Sequence, residues 1–147
     1  RYFAKIAPTL GAFGVGIARA ALEKSIEHTL ERVQGGKPIF EHDVVSFRLA
    51  EMKVDVDVAR DLVWRAACHS DDQRDYDPRL GLTSVLFASQ MAPRVCDMAI
   101  QLFGGYGFMR DYPVQKYWRD ALMCLFHGET HDTARLKLGR LMETEHI

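Results

Sequence analysis

The sequence has few cysteines, and they lie far apart. Cys68, Cys96 and Cys124 are an odd number, and no two of them form a Cys-x-x-Cys pair. This spacing does not suit the disulfide framework of a small secreted domain. We therefore expect reduced thiols packed among helices, in the cytoplasm or, for a eukaryotic protein, in the mitochondrial matrix.

Long apolar runs and an excess of one charge are also missing. Nineteen basic and twenty acidic residues give a net charge of −1, and no basic stripe indicates a nucleic-acid partner. No apolar run approaches the roughly 20 residues that span a bilayer, and no signal peptide is visible. With 147 residues, 48% of them hydrophobic, the chain can form one domain with a real core. Because residue 1 is Arg rather than Met, we expect the chain to be a piece of a longer protein.

What is present is helical periodicity over most of the length. A first helix is expected from near Pro8, since proline suits a first turn, to the Gly35-Gly36 pair. A second helix should run from about residue 41 to residue 69, with an apolar face on one side and charged residues on the other. Its predicted apolar face consists of Val44, Val45, Phe47, Leu49, Met52, Val56, Ala59, Leu62 and Val63.

The second half of the sequence predicts three further helices. Asp77 and Pro78 fit the cap and first position of a helix that ends near residue 102, bent at Pro93. A tight turn at 104–107 follows, then helices over about 112–125 and 130–142. Short connections between amphipathic helices predict an all-α fold, an antiparallel four-helix bundle with an extra short helix.

Three glycines in the first helix, Gly11, Gly14 and Gly16, are spaced in reverse of the Gly-x-Gly-x-x-Gly phosphate loop. No strand precedes them, so a close approach of another helix explains them better. The lone histidines His28, His42 and His69 are most simply residues of helix surfaces or caps.

Two histidines four residues apart, His127 and His131, would share one helix face and lie beside Glu129 and Asp132. The zinc pattern His-Glu-x-x-His is absent, and Gly128 indicates a turn. We therefore expect no metal site.

The Gly104-Gly105 pair has two explanations. Glycines form turns readily, and their bare backbone amides can also approach an anionic phosphate. Gln101 and Thr130 would supply neutral hydrogen-bonding groups near such a ligand.

Several ordered motifs at consistent separations resemble the C-terminal helical domain of the acyl-CoA dehydrogenase family, over nearly the whole chain and without gaps. They are Leu30-Glu31-Arg32 with Gly36-Lys37, Ser46-Phe47-x-Leu49-Ala50-Glu51-Met52, Gln101-x-x-Gly104-Gly105-x-Gly107-Phe108, Tyr112-Pro113, Arg119-Asp120-Ala121, Thr130-His131-Asp132 and Leu138-Gly139-Arg140.

The resemblance implies one domain, residues 1–147, of a three-domain flavoenzyme of fatty acid metabolism that forms a dimer or, more often, a homotetramer. Such enzymes remove an α-proton from an acyl-CoA thioester with a side-chain base and transfer the β-hydrogen to FAD as hydride. Their electrons pass to electron-transferring flavoprotein or a similar acceptor. FAD lies between domains and subunits in this family, so the 147 residues alone are not expected to hold it.

The resemblance also implies roles for individual residues. Arg32 would approach the pyrophosphate or adenine end of FAD in a neighbouring subunit, and Gln101, Gly104 and Gly105 would contact the same ADP portion. Thr130 would bind FAD near the catalytic loop.

Departures from the family pattern leave the reaction open. Position 128, usually the catalytic Glu, is Gly, and the glycine that lies beside the substrate is here Glu129. The residue matching the alternative base of other members is Ile6. Gly35 replaces an aromatic residue, and Asp43 replaces a Gln that contacts FAD.

Three accounts of the active site follow from these departures. Glu129 is the base through a rearranged loop, or His127 is the base. Alternatively, no α-proton is removed, and the protein performs other flavin chemistry (oxidase or desulfinase-like) or serves only as an oligomerisation module.

Overall fold

Five α-helices make up most of the part of the chain that the structure describes, and the all-α class is confirmed. The computed structural model describes residues 2–71, 77–128 and 130–143. Its elements are α1 (Tyr2–Glu31), β1 (Val33–Gln34), β2 (Lys37–Pro38), a 3₁₀ turn (Ile39–Glu41), α2 (Asp43–Asp71), α3 (Pro78–Phe103), a second 3₁₀ turn (Gly104–Phe108), α4 (Val114–Met123) and α5 (His131–Glu143). Helices α1, α2 and α3 pack against one another, α4 packs on α1 and α3, and α5 packs on α3.

Helix α1 begins earlier than the sequence predicted. It starts at Tyr2, so Pro8 lies inside it rather than at its start. An internal proline removes one backbone hydrogen bond and disturbs the turn before it. Pro8 and its neighbour Ala7 are both buried, and this packing offsets part of that cost.

A short hairpin after α1 was missed. Val33 pairs with Pro38 and Gln34 with Lys37, joined by two glycines with φ of 64° (Gly35) and 81° (Gly36). Positive φ at both central residues is the geometry of a primed hairpin turn, which Gly-Gly adopts without steric cost. The helix therefore ends at Glu31, four residues before the glycines that were predicted to end it, and the glycines instead reverse the chain in the hairpin.

Part of the predicted apolar face of α2 was wrong. The buried residues are Leu49, Met52, Val56, Ala59, Val63 and Ala66. Val44 is 78% exposed and Phe47 69% exposed, together with Val54 and Val58. At about 100° per residue, these four side chains lie on a part of the α2 surface that is turned away from its core face. The helix therefore has two apolar stripes, and the sequence spacing alone assigned residues of both stripes to one face.

Helix α3 is the centre of the bundle, with buried residues along its length from Gly81 to Phe103. Its predicted start is confirmed, because the Asp77 carboxylate accepts a hydrogen bond from the Arg79 amide at 2.9 Å and Pro78 follows the cap. Pro93 lies inside the helix as expected. The bend at Pro93 stays a prediction.

The contact between α1 and α3 depends on two of the three α1 glycines. A Cβ at Gly14 would lie 2.9 Å from the Ala88 carbonyl oxygen, and one at Gly11 would lie 2.8 Å from Val63 Cγ2 of α2. The predicted close helix approach is confirmed there. Gly16 has nothing within 4 Å of its Cβ position, so no packing requires a glycine there.

The last two helices match their predictions in kind. Helix α4 is shorter than expected, since it starts after Pro113 and passes into turns at Cys124. Helix α5 begins at His131, within one residue of its predicted start. None of the helices in the described ranges is long and apolar enough to cross a membrane.

Candidate functional site

Four of the predicted cofactor residues gather at one end of the bundle. Gln101 lies in the last turn of α3, and its carbonyl accepts the backbone amide of Gly104. Arg32, directly after α1, places its guanidinium carbon 5.5 Å from the centre of the Tyr106 ring. Arg32, Gln101, Gly104 and Gly105 are all exposed. Two chain segments some seventy residues apart therefore converge on the turn after α3.

The glycines of this turn have different tasks. Gly104 has φ 59°, in the left-handed region that favours glycine. No atom lies within 4 Å of the Cβ position of Gly104 or Gly105, so that side of the backbone is open to a ligand. A Cβ at Gly107 would instead lie 2.7 Å from the Ile100 carbonyl oxygen. Gly107 thus lets the turn pack on α3, while Gly104 and Gly105 keep the outer surface bare.

An aromatic cluster supports this end of the bundle, and sequence reasoning missed it. The His28 ring stacks on Phe103, with centroids 4.0 Å apart and planes 13° apart. Tyr112 meets Phe103 edge-on at 5.5 Å and lies 5.4 Å from Tyr106. His28 is therefore a half-buried residue that packs against aromatic rings, and the expectation of a surface or capping residue was wrong. No local pattern signals it, because its partners come from the other half of the chain.

The charge state of His28 follows from this packing. Burial lowers the pKa of the His28 imidazole below its ordinary 6.5, and the positive charge of Arg32 lowers it further. A neutral ring stacks without adding a second cation beside Arg32. Arg32 then provides a permanent positive charge at this end for an anionic ligand.

Thr130 lies elsewhere in the chain's own structure. Its hydroxyl accepts the Thr133 amide at 3.3 Å and pairs with the Thr133 hydroxyl at 2.9 Å, so it caps α5. The next residue, His131, places Nε2 2.7 Å from the hydroxyl of Ser89 on α3. Ser89 and Gln101 are twelve residues apart, or about 18 Å along the helix. One chain therefore does not bring Thr130 next to Gln101.

The candidate base lies in the segment before α5. Glu129 is outside the described residues. Gly128 has φ 85°, a conformation that L residues with side chains adopt only with strain. The exposed ring of His127 is 6.2 Å from that of Phe13 on α1. The backbone at 128 thus has a conformation that suits glycine.

A metal site finds no support among the residues with described positions, where no three His, Cys, Asp or Glu side chains form a suitable group. His131 Nε2 already contacts Ser89. Since Glu129 is not described, the expected absence of a metal stays a prediction.

The arrangement around Arg32 can bind an anionic group of a ligand and a polar group next to it. Arg32 supplies a permanent positive charge, Gln101 supplies an amide, and the Gly104-Gly105 backbone has room for close approach. These donors fit the diphosphate and adjoining groups of a dinucleotide. The exposed Tyr106 ring beside Arg32 offers a flat apolar surface.

Comparisons with known proteins identify the family of the chain. The family model described as "Acyl-CoA dehydrogenase, C-terminal domain" matches residues 3–142. The chain is 39% identical over 132 residues to a probable acyl-CoA dehydrogenase, YngJ, of Bacillus subtilis, covering 90% of this chain and 34% of that protein.

Solved structures of similar sequence have the same fold. Butyryl-CoA dehydrogenase from Megasphaera elsdenii superposes with a TM-score of 0.89 at 34% identity, over 92% of this chain and 35% of that one. A chain from a structure titled for the electron transferring flavoprotein of Acidaminococcus fermentans matches with a TM-score of 0.89 at 31% identity, over 92% of this chain and 36% of that one. The chain spans about a third of the length of the relatives that it matches.

Proposed function

This chain belongs to the acyl-CoA dehydrogenase family, whose C-terminal helical domain it forms, and we propose that it is one part of a longer three-domain flavoenzyme. That enzyme dehydrogenates an acyl-CoA thioester between its α and β carbons. The bound FAD supplies the hydride acceptor. The chain's own residues bind the cofactor, orient it and hold the base. The names of the relatives, acyl-CoA dehydrogenases, support this activity.

One observation carries the proposal: Arg32 converges with Gln101, Gly104 and Gly105 at a single exposed end of the bundle. A guanidinium beside an unobstructed glycine backbone suits the ADP portion of FAD. The neutral His28 stacked behind it holds Phe103 and the turn in place without competing for the anion.

Thr130 serves a different copy of the cofactor from the one that Arg32 contacts. Its neighbour His131 contacts Ser89, which lies about 18 Å from Gln101 along α3, and this separation supports the assignment. We therefore assign the complete sites to a homo-oligomer, dimer or tetramer, in which each FAD touches two subunits. The exposed apolar stripe of α2, with Val44, Phe47, Val54 and Val58, provides surface for such contacts.

The cofactor site is tested with a matched pair of arginine substitutions in the full-length protein. Arg32→Ala should weaken FAD binding at least about tenfold, because it removes a charge-assisted contact to phosphate. Arg19→Ala removes another exposed arginine, on α1, whose partner is Glu23, and it should leave the FAD dissociation constant unchanged. Equal effects of the two substitutions would contradict the assignment of Arg32.

The base is assigned to Glu129, with His127 as the alternative. A carboxylate takes the α-proton onto an oxygen, and apolar surroundings raise its pKa and so its basicity. Glu129→Gln should lower kcat by about 10²- to 10⁴-fold with FAD binding retained. Gly128→Glu tests the usual position, where the φ of 85° disfavours a side chain. Unchanged turnover in Glu129→Gln on an acyl-CoA panel would remove Glu129 as the base, and loss of turnover in His127→Gln alone would assign His127.

The electron acceptor is proposed to be electron-transferring flavoprotein or a similar carrier. The structural match to a chain titled for an electron transferring flavoprotein supports this choice. Reduction of that carrier by the full-length protein and acyl-CoA is the direct assay.

A further inference from the structure

Ser89 is a buried hydroxyl with polar neighbours on two helices, including a long 3.4 Å contact to the Leu86 carbonyl oxygen. It lies on α3 and is 2% exposed. Its Oγ is 2.5 Å from the Val85 carbonyl oxygen of the same helix and 2.7 Å from Nε2 of His131 on α5. Buried hydroxyls are usually satisfied by their own helix, so the second contact needs a separate explanation.

The two contacts together fix the direction of the hydrogen bond to His131. A serine hydroxyl has one hydrogen, and a carbonyl oxygen can only accept. The short distance to Val85 therefore requires that the Ser89 hydrogen points to that carbonyl. The bond to His131 then runs from Nε2–H to the Ser89 oxygen. His131 accordingly carries its hydrogen on Nε2, and Nδ1 holds the lone pair of the neutral ring.

His131 is also the first residue of a compact helical turn. The Thr130 carbonyl accepts the Ala134 amide at 3.0 Å, and the Thr130 hydroxyl bonds Thr133. Farther along α5, Ala134 packs with Leu82 and Leu86 of α3. Thr130 is thus tied to the first turn of α5, and His131 ties that turn to the centre of the bundle.

We propose that Ser89 and His131 are a positioning pair, in which the Nε2–H donation from His131 to Ser89 anchors the start of α5 and so places Thr130 for the flavin. The effect on flavin rests on the function proposed above. The anchoring itself is a property of this chain alone. Neither residue touches the reacting atoms in this account.

The chain contains a matched control for Ser89. Ser84 is also a fully buried serine of α3, but its hydroxyl donates only to the Gly81 carbonyl at 2.8 Å. Ser84→Ala and Ser89→Ala therefore remove the same atoms from similar surroundings, and only the second removes a link to α5. His131→Gln keeps an N–H donor of similar reach, whereas His131→Leu has none.

Two measurements on the 147-residue chain test the anchoring without flavin. In ¹⁵N NMR at neutral pH, His131 should show a protonated Nε2 and an unprotonated Nδ1. Backbone amides at the start of α5 should exchange with solvent about tenfold faster in Ser89→Ala and His131→Leu than in wild type, the size expected for one lost buried hydrogen bond. Ser84→Ala and His131→Gln should exchange there at close to the wild-type rate.

A protonated Nδ1 with a bare Nε2 would overturn the proposal, as would equal exchange in Ser89→Ala and Ser84→Ala. FAD affinity of the full-length variants then tests the consequence. Ser89→Ala should bind FAD several-fold more weakly than Ser84→Ala, and equal affinities would overturn the role toward flavin. A wild-type protein that binds FAD but does not oxidise any acyl-CoA would refute the proposed reaction while leaving the anchoring result intact.

Discussion

Asp77 connects sequence, structure and stability through a single side chain. Its carboxylate accepts the Arg79 amide and a second bond from the Arg79 guanidinium, both at 2.9 Å. The guanidinium bond is the main reason that the pKa of Asp77 lies below its ordinary 3.8. A depressed carboxylate pKa contributes stability above the unfolded value, and that contribution is lost as pH falls through the folded value.

Asp77→Ala should therefore lower the free energy of unfolding by about 1 kcal/mol at neutral pH, through loss of the cap. Asp77→Asn keeps a capping oxygen and should lose less. Urea unfolding at neutral pH and below pH 3.8 is the measurement. The difference between wild type and Asp77→Ala should shrink at the lower pH, and a constant difference would show that the ionised carboxylate contributes nothing.

At the scale of elements, two glycines two residues apart in α1 have opposite consequences. Gly14 faces the Ala88 carbonyl of α3, and an added Cβ at 2.9 Å would push against backbone. The Cβ position at Gly16 is open. The sequence marked both as points of helix approach, because spacing alone cannot tell which side of a helix a neighbour occupies.

Gly14→Ala should lower stability by about 1–3 kcal/mol, the usual cost of overpacking. Gly16→Ala should raise it by up to about 1 kcal/mol, since alanine favours the helix and meets no neighbour. Urea midpoints of the two variants with a constant m-value check both signs. A stabilised Gly14→Ala would contradict the tight contact between α1 and α3.

Element boundaries could be predicted where the chain carries local signals. Asp77-Pro78 starts α3, and the starts of α2 and α5 fall within two residues of their predicted positions. Pro8 led to a wrong predicted start of α1. Burial around Pro8 favours a helix that continues through this position, although the proline backbone disfavours it. The outward Val44 and Phe47 misled as well, since an apolar residue signals burial without saying against what.

The residues of the candidate site also fall into two groups, those that local sequence motifs predict and those that only the fold brings together. The motifs predicted Arg32, Gln101, Gly104 and Gly105 as one group, and they do lie at one end of the bundle. His28 and Ser89 could not be predicted from local pattern. Their roles depend on contacts with Phe103 and His131, which are distant in sequence and meet only after folding.

At the scale of the whole molecule, the chain has surfaces that fit the larger assembly proposed above. Proposed cofactor contacts lie at two separate places along α3, and α2 exposes a second apolar stripe. Exposed apolar surface of this kind is typical of protein interfaces. The relatives are about three times as long, and we propose that further domains or subunits cover this surface.

The most direct test of this account is an anaerobic titration of the purified full-length protein with acyl-CoA substrates of different chain length, followed by the visible absorption of oxidised flavin. We predict that the wild-type protein is yellow and loses this absorption with at least one acyl-CoA. The Glu129→Gln variant should keep the absorption when it is titrated in the same way. A colourless protein that does not bind added FAD, or a flavoprotein that no acyl-CoA reduces, would contradict the proposed dehydrogenase.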